Sequence, residues 1–176
     1  MIVLVGESAS GKSSIEKYLV DNYGYNKIVS YTTRQPREGE INGIDYHFIT
    51  KSQFRELEKQ NFFAETAIYN GWYYGVAKRD CTDDKVAVLT PHGLRQVSKI
   101  KDINVTSFYI NVPRRDRLIK ILQRGDDIEE SYRRNLSDVG MFDGICDEVD
   151  YVINNVRYNK SIKEMAKEIL DCLNNK

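Results

Sequence analysis

The residues Gly6 to Ser13, GESASGKS, combine types that bind an anion when they stand in this order. They fit G-x-x-x-x-G-K-[ST] without a mismatch. Backbone N–H groups of a loop that turns into a helix converge on a phosphate, and the helix dipole adds partial positive charge. Gly6 and Gly11 permit dihedrals that a side chain resists and let a phosphate approach the main chain. Lys12 can reach β- and γ-phosphates, and the Ser13 hydroxyl can hold Mg²⁺. Glu7, Ser8, Ala9, Ser10 and Ser14 complete the stretch that would face ATP. Such a loop works only between a strand and a helix. The apolar run Ile2–Val5 leads into it, and Ile15, Tyr18 and Leu19 leave it at i, i+3, i+4 spacing.

The elements that must position this loop follow from the same reading. Ile28–Ser30 reads as a short second strand, Thr32–Gly43 as a turn-rich stretch, and Ile44–Ile49 as a strand. Thr50 with Gln53 forms a capping box for a helix carrying Phe54 and Leu57. Asn61–Tyr74 is aromatic and carries the hairpin signal Asn70-Gly71. Val86–Leu89 is a buried strand, and Val97 and Ile100 place a helix after Pro91. Val105–Ile110 is a strand. Pro113 opens a helix with Leu118, Ile121 and Leu122, closed by Gly125. Asp126–Glu130 reads as a solvated acidic loop, with a further helix to about Met141. Val149–Ile153 is the last strand. Ser161 and Glu164 cap a helix with the stripe Ile162, Met165, Ala166, Ile169, Leu173. Strand and helix alternate at both ends, which predicts an α/β fold: a parallel sheet with helices on both faces. Residues 32–76 form a β-rich insert over the edge where phosphate binds.

Bulk properties narrow the function classes. At 176 residues, 41% hydrophobic and 30% charged, the chain makes one domain with a real core. A net charge of zero and a pI of about 6.7 argue against a general nucleic-acid or membrane surface. No apolar run approaches the ~20 residues that span a bilayer. Without a basic leader, a cytoplasmic protein is expected. Cys81, Cys146 and Cys172 read as free thiols of a reducing compartment.

A second constellation selects the reaction. Ser30–Phe48, SYTTRQPREGEINGIDYHF, with Glu65 and the run GWYYG at Gly71–Gly75, resembles the guanylate kinases over nearly the whole chain. The resemblance implies a three-layer P-loop fold with a GMP-binding insert (32–76) and a lid (114–135) in a single domain, 1–176. It implies transfer of the γ-phosphate of ATP to GMP or dGMP, with Mg²⁺, by a monomer or weak homodimer that needs neither nucleic acid nor membrane. In that family two arginines and two tyrosines hold the GMP phosphate; the matching residues are Arg34, Arg37, Tyr46 and Tyr74. Ser30 and Glu65 match the residues that read guanine. The chemistry agrees: guanidinium groups bind phosphate bidentately, and a carboxylate accepts from the paired donors of guanine but finds none on adenine. Taken singly, these residues could equally be loop charges and core aromatics. Asp45 and Glu40 are expected to support turns, and His47 and His92 to be structural.

The lid resemblance assigns Arg124 to the transferring phosphoryl group and Asn155 to the adenine side, with catalysis shared among Lys12, Arg34 and Arg124. Several positions depart from the family pattern. Lys120 and Asn135 stand where arginine is usual, with Arg133 and Arg134 adjoining. Val76 replaces a hydroxyl residue that reads guanine, and Val88 and Thr90 replace aspartates near the base and the metal. Two other readings remain open here: a binding module that has lost catalysis, and a kinase with a different phosphorylated acceptor.

Overall fold

Alternation in strand β1 (Ile2–Val5) sends Ile2 and Leu4 to one face of a sheet and Val3 and Val5 to the other. Both sets are buried, as a central parallel strand requires. The computed structural model describes residues 1–69, 71–125 and 127–175, with the main chain alone at Tyr69, Arg124 and Glu130. In its main sheet β1 lies between β7 (Lys85–Val88) and β8 (Thr106–Asn111). The short β2 (Asn26–Lys27) and β9 (Tyr151–Asn154) form the two edges. All pairs are parallel, with Val3 opposite Ala87 and Ser107.

Two helical layers cover this sheet. Helices α1 (Lys12–Tyr23) and α6 (Ile162–Asn174) press Ile15, Leu19, Met165, Ala166 and Ile169 onto Leu4, Phe108, Ile110 and Ile153. On the other face Leu94 and Val97 of α3 (Pro91–Val97) meet Val3, Ala87 and Tyr109. Parallel strands end at a common edge, and β1 delivers Gly6 there.

A second, mixed sheet has the order β4 (His47–Phe48), β3 (Tyr31–Thr32), β6 (Trp72–Ala77), β5 (Phe63–Tyr69). Its hydrophobic centre is Phe54 of α2 (Lys51–Lys59), fully buried and stacked on Phe63 at 4.5 Å. The expected capping boxes at Thr50 and Ser161 are both formed. Gln96 ties this sheet to the main one: its side-chain amide donates to Thr66 O at 2.8 Å and accepts from Thr66 N at 2.9 Å. Helices α4 (Arg114–Arg124) and α5 (Ile128–Ser137) follow β8. No described helix is long and apolar enough to cross a membrane.

The structure moves several boundaries. The second strand is Asn26–Lys27, because Ile28 turns inward as a core residue at 4% exposure. The strand expected at Ile44–Ile49 shrinks to His47–Phe48, since Asp45 accepts from the Ile41 N–H and closes a turn through Gly43. The helix after Pro91 ends at Val97, leaving Ile100 in a turn. The acidic segment is not all loop: α5 begins at Ile128, with Asp127 O accepting from Ser131 N. It stops at Ser137 rather than near Met141, as turns through Gly140 and Gly144 take over. The last strand runs Tyr151–Asn154, because Asp150 spends its carboxylate on Ser107. The hairpin signal at Asn70 and the acidic Asp126 lie outside the described residues; around Asn70, Tyr69 pairs with Trp72.

Candidate active site

The loop from Gly6 to Ser13 is shaped by crowding. A Cβ at Gly6 would lie 2.8 Å from both the Ile110 carbonyl oxygen and Ser10 Oγ, so only glycine fits. Gly11 (φ 100°) and Ala9 (φ 64°) take left-handed dihedrals that turn the chain into α1. Lys12 Nζ donates to Gly6 O at 2.6 Å and Glu7 O at 2.9 Å, folding over the loop. Burial lowers its pKa to about 8, against the pull of Asp138 and Glu7.

A buried ionic network braces this loop from outside. Arg117 of α4 is 4% exposed and donates to Val112 O, Ser8 O and Glu7 Oε1 at 3.0–3.3 Å. Asp138 accepts from Ser8 N at 2.8 Å and lies 3.8 Å from Arg117. Tyr109 donates to Glu7 Oε2 at 3.0 Å. Neither Arg117 nor Asp138 stands out in the sequence by spacing. The one available signal is an arginine four residues before Ile121, on the apolar side of α4.

The residues matched to the acceptor nucleotide converge on one cleft of about 720 Å³. Ser30, Arg34, Arg37, Tyr46, Glu65 and Tyr74 all line it, although they come from the residue before β3, the turns between β3 and β4, β5 and β6. Arg34 makes a two-point ion pair with Glu40, Nη1 to Oε2 at 2.9 Å and Nη2 to Oε1 at 2.8 Å. This hydrogen bonding holds the Glu40 carboxyl below its usual range. Glu40 also accepts from the Arg37 N–H at 2.7 Å. It therefore does more than support a turn: it aims one guanidinium of the pair. The Arg34 guanidinium carbon lies 5.4 Å from the Tyr46 ring centre, and the Tyr46 and Tyr74 rings meet edge-on at 6.0 Å.

Glu65 is 5% exposed, and burial pushes its pKa up to about 7. Its space depends on Gly93, where a Cβ would come within 2.9 Å of Glu65 Oε2. Val76, Val88 and Thr90 do not share one place. Val76 is buried in the core and does not line the cleft. Val88 and Thr90 do line it, and Thr90 Oγ1 caps α3 by accepting from Gly93 N at 3.1 Å.

The Gly6–Ser13 loop opens on a second cavity of about 670 Å³, lined by Ser8–Ser14, Lys120, Arg134, Tyr158, Lys160 and Ser161. Asn155 also belongs to its wall but is fully buried, binding Lys160 N and O at 2.9 and 3.1 Å. Its amide shapes the cavity rather than projecting into it. Asn135 points away too: it is 3% exposed and accepts from Arg114 Nε at 3.0 Å. Its neighbour Arg134 lines both cavities, as does Ser13. The Arg124 side chain lies outside the described residues. Two clefts thus meet at a hydroxyl on one side and a guanidinium on the other.

Comparison with known proteins adds a family. A family model described as guanylate kinase matches residues 1–172. The chain is similar to the guanylate kinase of Rickettsia felis, 34% identical over 183 residues, with 97% of this chain and 92% of that protein covered. It is similar to the guanylate kinase of Mycoplasma genitalium, 31% identical over 179 residues, covering 97% and 75%. Among solved structures, guanylate kinase from Anaplasma phagocytophilum matches with a TM-score of 0.75 and 25% identity, over 99% of this chain and 84% of that one.

Proposed function

This chain belongs to the guanylate kinase family and moves the γ-phosphate of ATP to GMP; from that premise we propose which of its residues carry the transfer. The observation that supports the assignment is the shared wall, Ser13 and Arg134, between the loop cavity and the arginine–tyrosine cleft. ATP lies along Gly6–Ser14 with its γ-phosphate at that junction. GMP lies in the insert cleft, in residues 32–76, with its phosphate facing the same point.

Each residue then has a task. Arg34, Arg37, Tyr46 and Tyr74 hold the acceptor phosphate. Arg34 has five N–H donors, of which Gln35 O and Glu40 take three, so two remain for Tyr74 and a ligand. Glu65 accepts from guanine N1–H and the 2-amino group, with Ser30 beside it. Lys12 leaves its resting carbonyls for the β- and γ-phosphates, whose charge restores the protonation that burial disfavours. Arg134, and Arg124 from the end of α4, bring positive charge over the transferring group from the lid, residues 114–135. The attacking phosphate oxygen is ionised at neutral pH, so no general base is needed. Positioning and charge neutralisation are the catalytic terms.

The Ser13 hydroxyl suits a magnesium ion. It opens to both cavities, and among the described residues it makes no hydrogen bond. When bound there, the ion screens charge on the phosphoryl group in transfer.

A coupled assay of ADP release tests the assignment. Lys12→Ala and Arg34→Ala are each expected to lose ~10²–10³-fold in turnover, with melting curves near the native one. Arg34→Ala should also raise KM for GMP and leave KM for ATP in place. Near-native turnover in either variant refutes it, and a panel of AMP, CMP, UMP and a sugar phosphate should rank below GMP.

A further inference from the structure

One ionisable side chain at the centre of the molecule has no task in the mechanism above. Glu16 lies on α1, three residues after Ser13, which puts both on one face of the helix. It is 8% exposed, and among the described residues it makes neither a hydrogen bond nor an ion pair. A cavity of about 200 Å³ has Ser13, Glu16, Lys27, Ser30, Asp45, Tyr46 and Val88 in its lining. Ser13, Ser30, Tyr46 and Val88 line the acceptor cleft as well, so the two spaces adjoin.

Burying a carboxylate without a partner is costly, and helix α1 would gain from an apolar residue there. The partner must then be something that enters the cavity. A small divalent cation bound by one protein hydroxyl keeps most of its waters, and those waters donate hydrogen bonds. Across the cavity, β7 offers them only the hydrocarbon of Val88. Thr90 Oγ1 already accepts from Gly93 N, and Asp45 has given an oxygen to Ile41 N at 2.8 Å. Glu16 is the carboxylate on the same helix as Ser13, and among the described residues neither of its oxygens is engaged. Lys27, on the far wall, does not reach ion-pairing distance.

We propose that Glu16 is a positioning residue for the cation at Ser13: from the loop helix it accepts hydrogen bonds from the cation's waters, a task for which the strand end carries only Val88 and Thr90. The proposal rests on the reading that Ser13 binds Mg²⁺. It also gives the altered strand a chemical meaning, since the carboxylate stands on α1 instead of β7.

Calorimetry with a non-hydrolysable ATP analogue, once in EDTA and once in excess Mg²⁺, measures how much the metal tightens nucleotide binding. In Glu16→Gln that gain should shrink by ~10-fold or more, while affinity in EDTA stays within twofold of native. Glu16→Leu should show the same loss, with a melting temperature in EDTA at or above native. A metal gain within twofold of native in both variants overturns the proposal. So does an equal loss in Lys27→Met, which would make Glu16 half of a structural pair. Ser13→Ala separates the two levels. If it abolishes the gain and Glu16→Gln does not, the role of Glu16 alone falls; if it preserves the gain, the metal reading falls with it.

Discussion

Glu65 is the side chain proposed to read the acceptor's base. Its burial raises the pKa to about 7, which disfavours the charged form that the proposed contact with guanine needs. Below that pH the carboxyl must lose a proton before it can accept from N1–H and the 2-amino group. KM for GMP should therefore rise about tenfold per pH unit below 7 in the native protein. In Glu65→Gln the slope should be shallower by that amount. The phosphate's own second ionisation near ~6 affects both proteins alike, so the difference between the profiles is the readout. Parallel profiles would remove Glu65 from base recognition. The family resemblance marked this residue in the sequence together with Ser30, Arg34, Arg37, Tyr46 and Tyr74, and all six line one cleft. Glu40 was legible only as a turn residue. Its two-point hold on Arg34 depends on how the turns between Pro36 and Gly43 fold back, which spacing does not encode.

At the scale of elements, helices were read more accurately than short strands. The capping boxes at Thr50 and Ser161 are local chemistry and sit where expected. Strands of two residues, such as β2 and β4, exist because a neighbour offers a ladder, and no period of two can build up in them. The brace between α4 and the phosphate loop is likewise a product of assembly. Arg117 meets Glu7 and Asp138, which are 110 and 21 residues away in the chain. Removing it strands two carboxylates and two backbone carbonyls in a part-buried place. Breaking such a pair costs about 3–5 kcal/mol, so Arg117→Met should lower urea stability by about that amount. It should also weaken ATP more than GMP, since the loop it supports is on the donor side. A loss of stability under 1 kcal/mol, or an equal effect on both nucleotides, would contradict the bracing role.

At the scale of the whole molecule, zero net charge means that self-repulsion contributes little to stability near neutral pH. The pH dependence then follows individual buried groups, and the two carboxyls pushed up to about 7 by burial are Glu16 and Glu65. Between the ordinary carboxylate range and pH 7, the folded chain binds more protons at these sites than the unfolded chain does. Stability therefore falls as pH rises through that window, the reverse of the effect of a salt-bridged acid. For Glu16 the shift from 4.5 to about 7 sets a ceiling on the order of 3 kcal/mol. Urea unfolding of native and Glu16→Gln protein in EDTA should give nearly equal stabilities at pH 4.5. The variant should then gain steadily on the native chain up to pH 8. Saturating Mg²⁺ and ATP analogue should close that gap, because the ligands stabilise the chain that binds them more tightly. A gap that does not vary with pH would mean that Glu16 is not carried as a buried acid. A gap that survives saturation with metal and nucleotide would mean that the folded chain bears the carboxylate for something other than the cation.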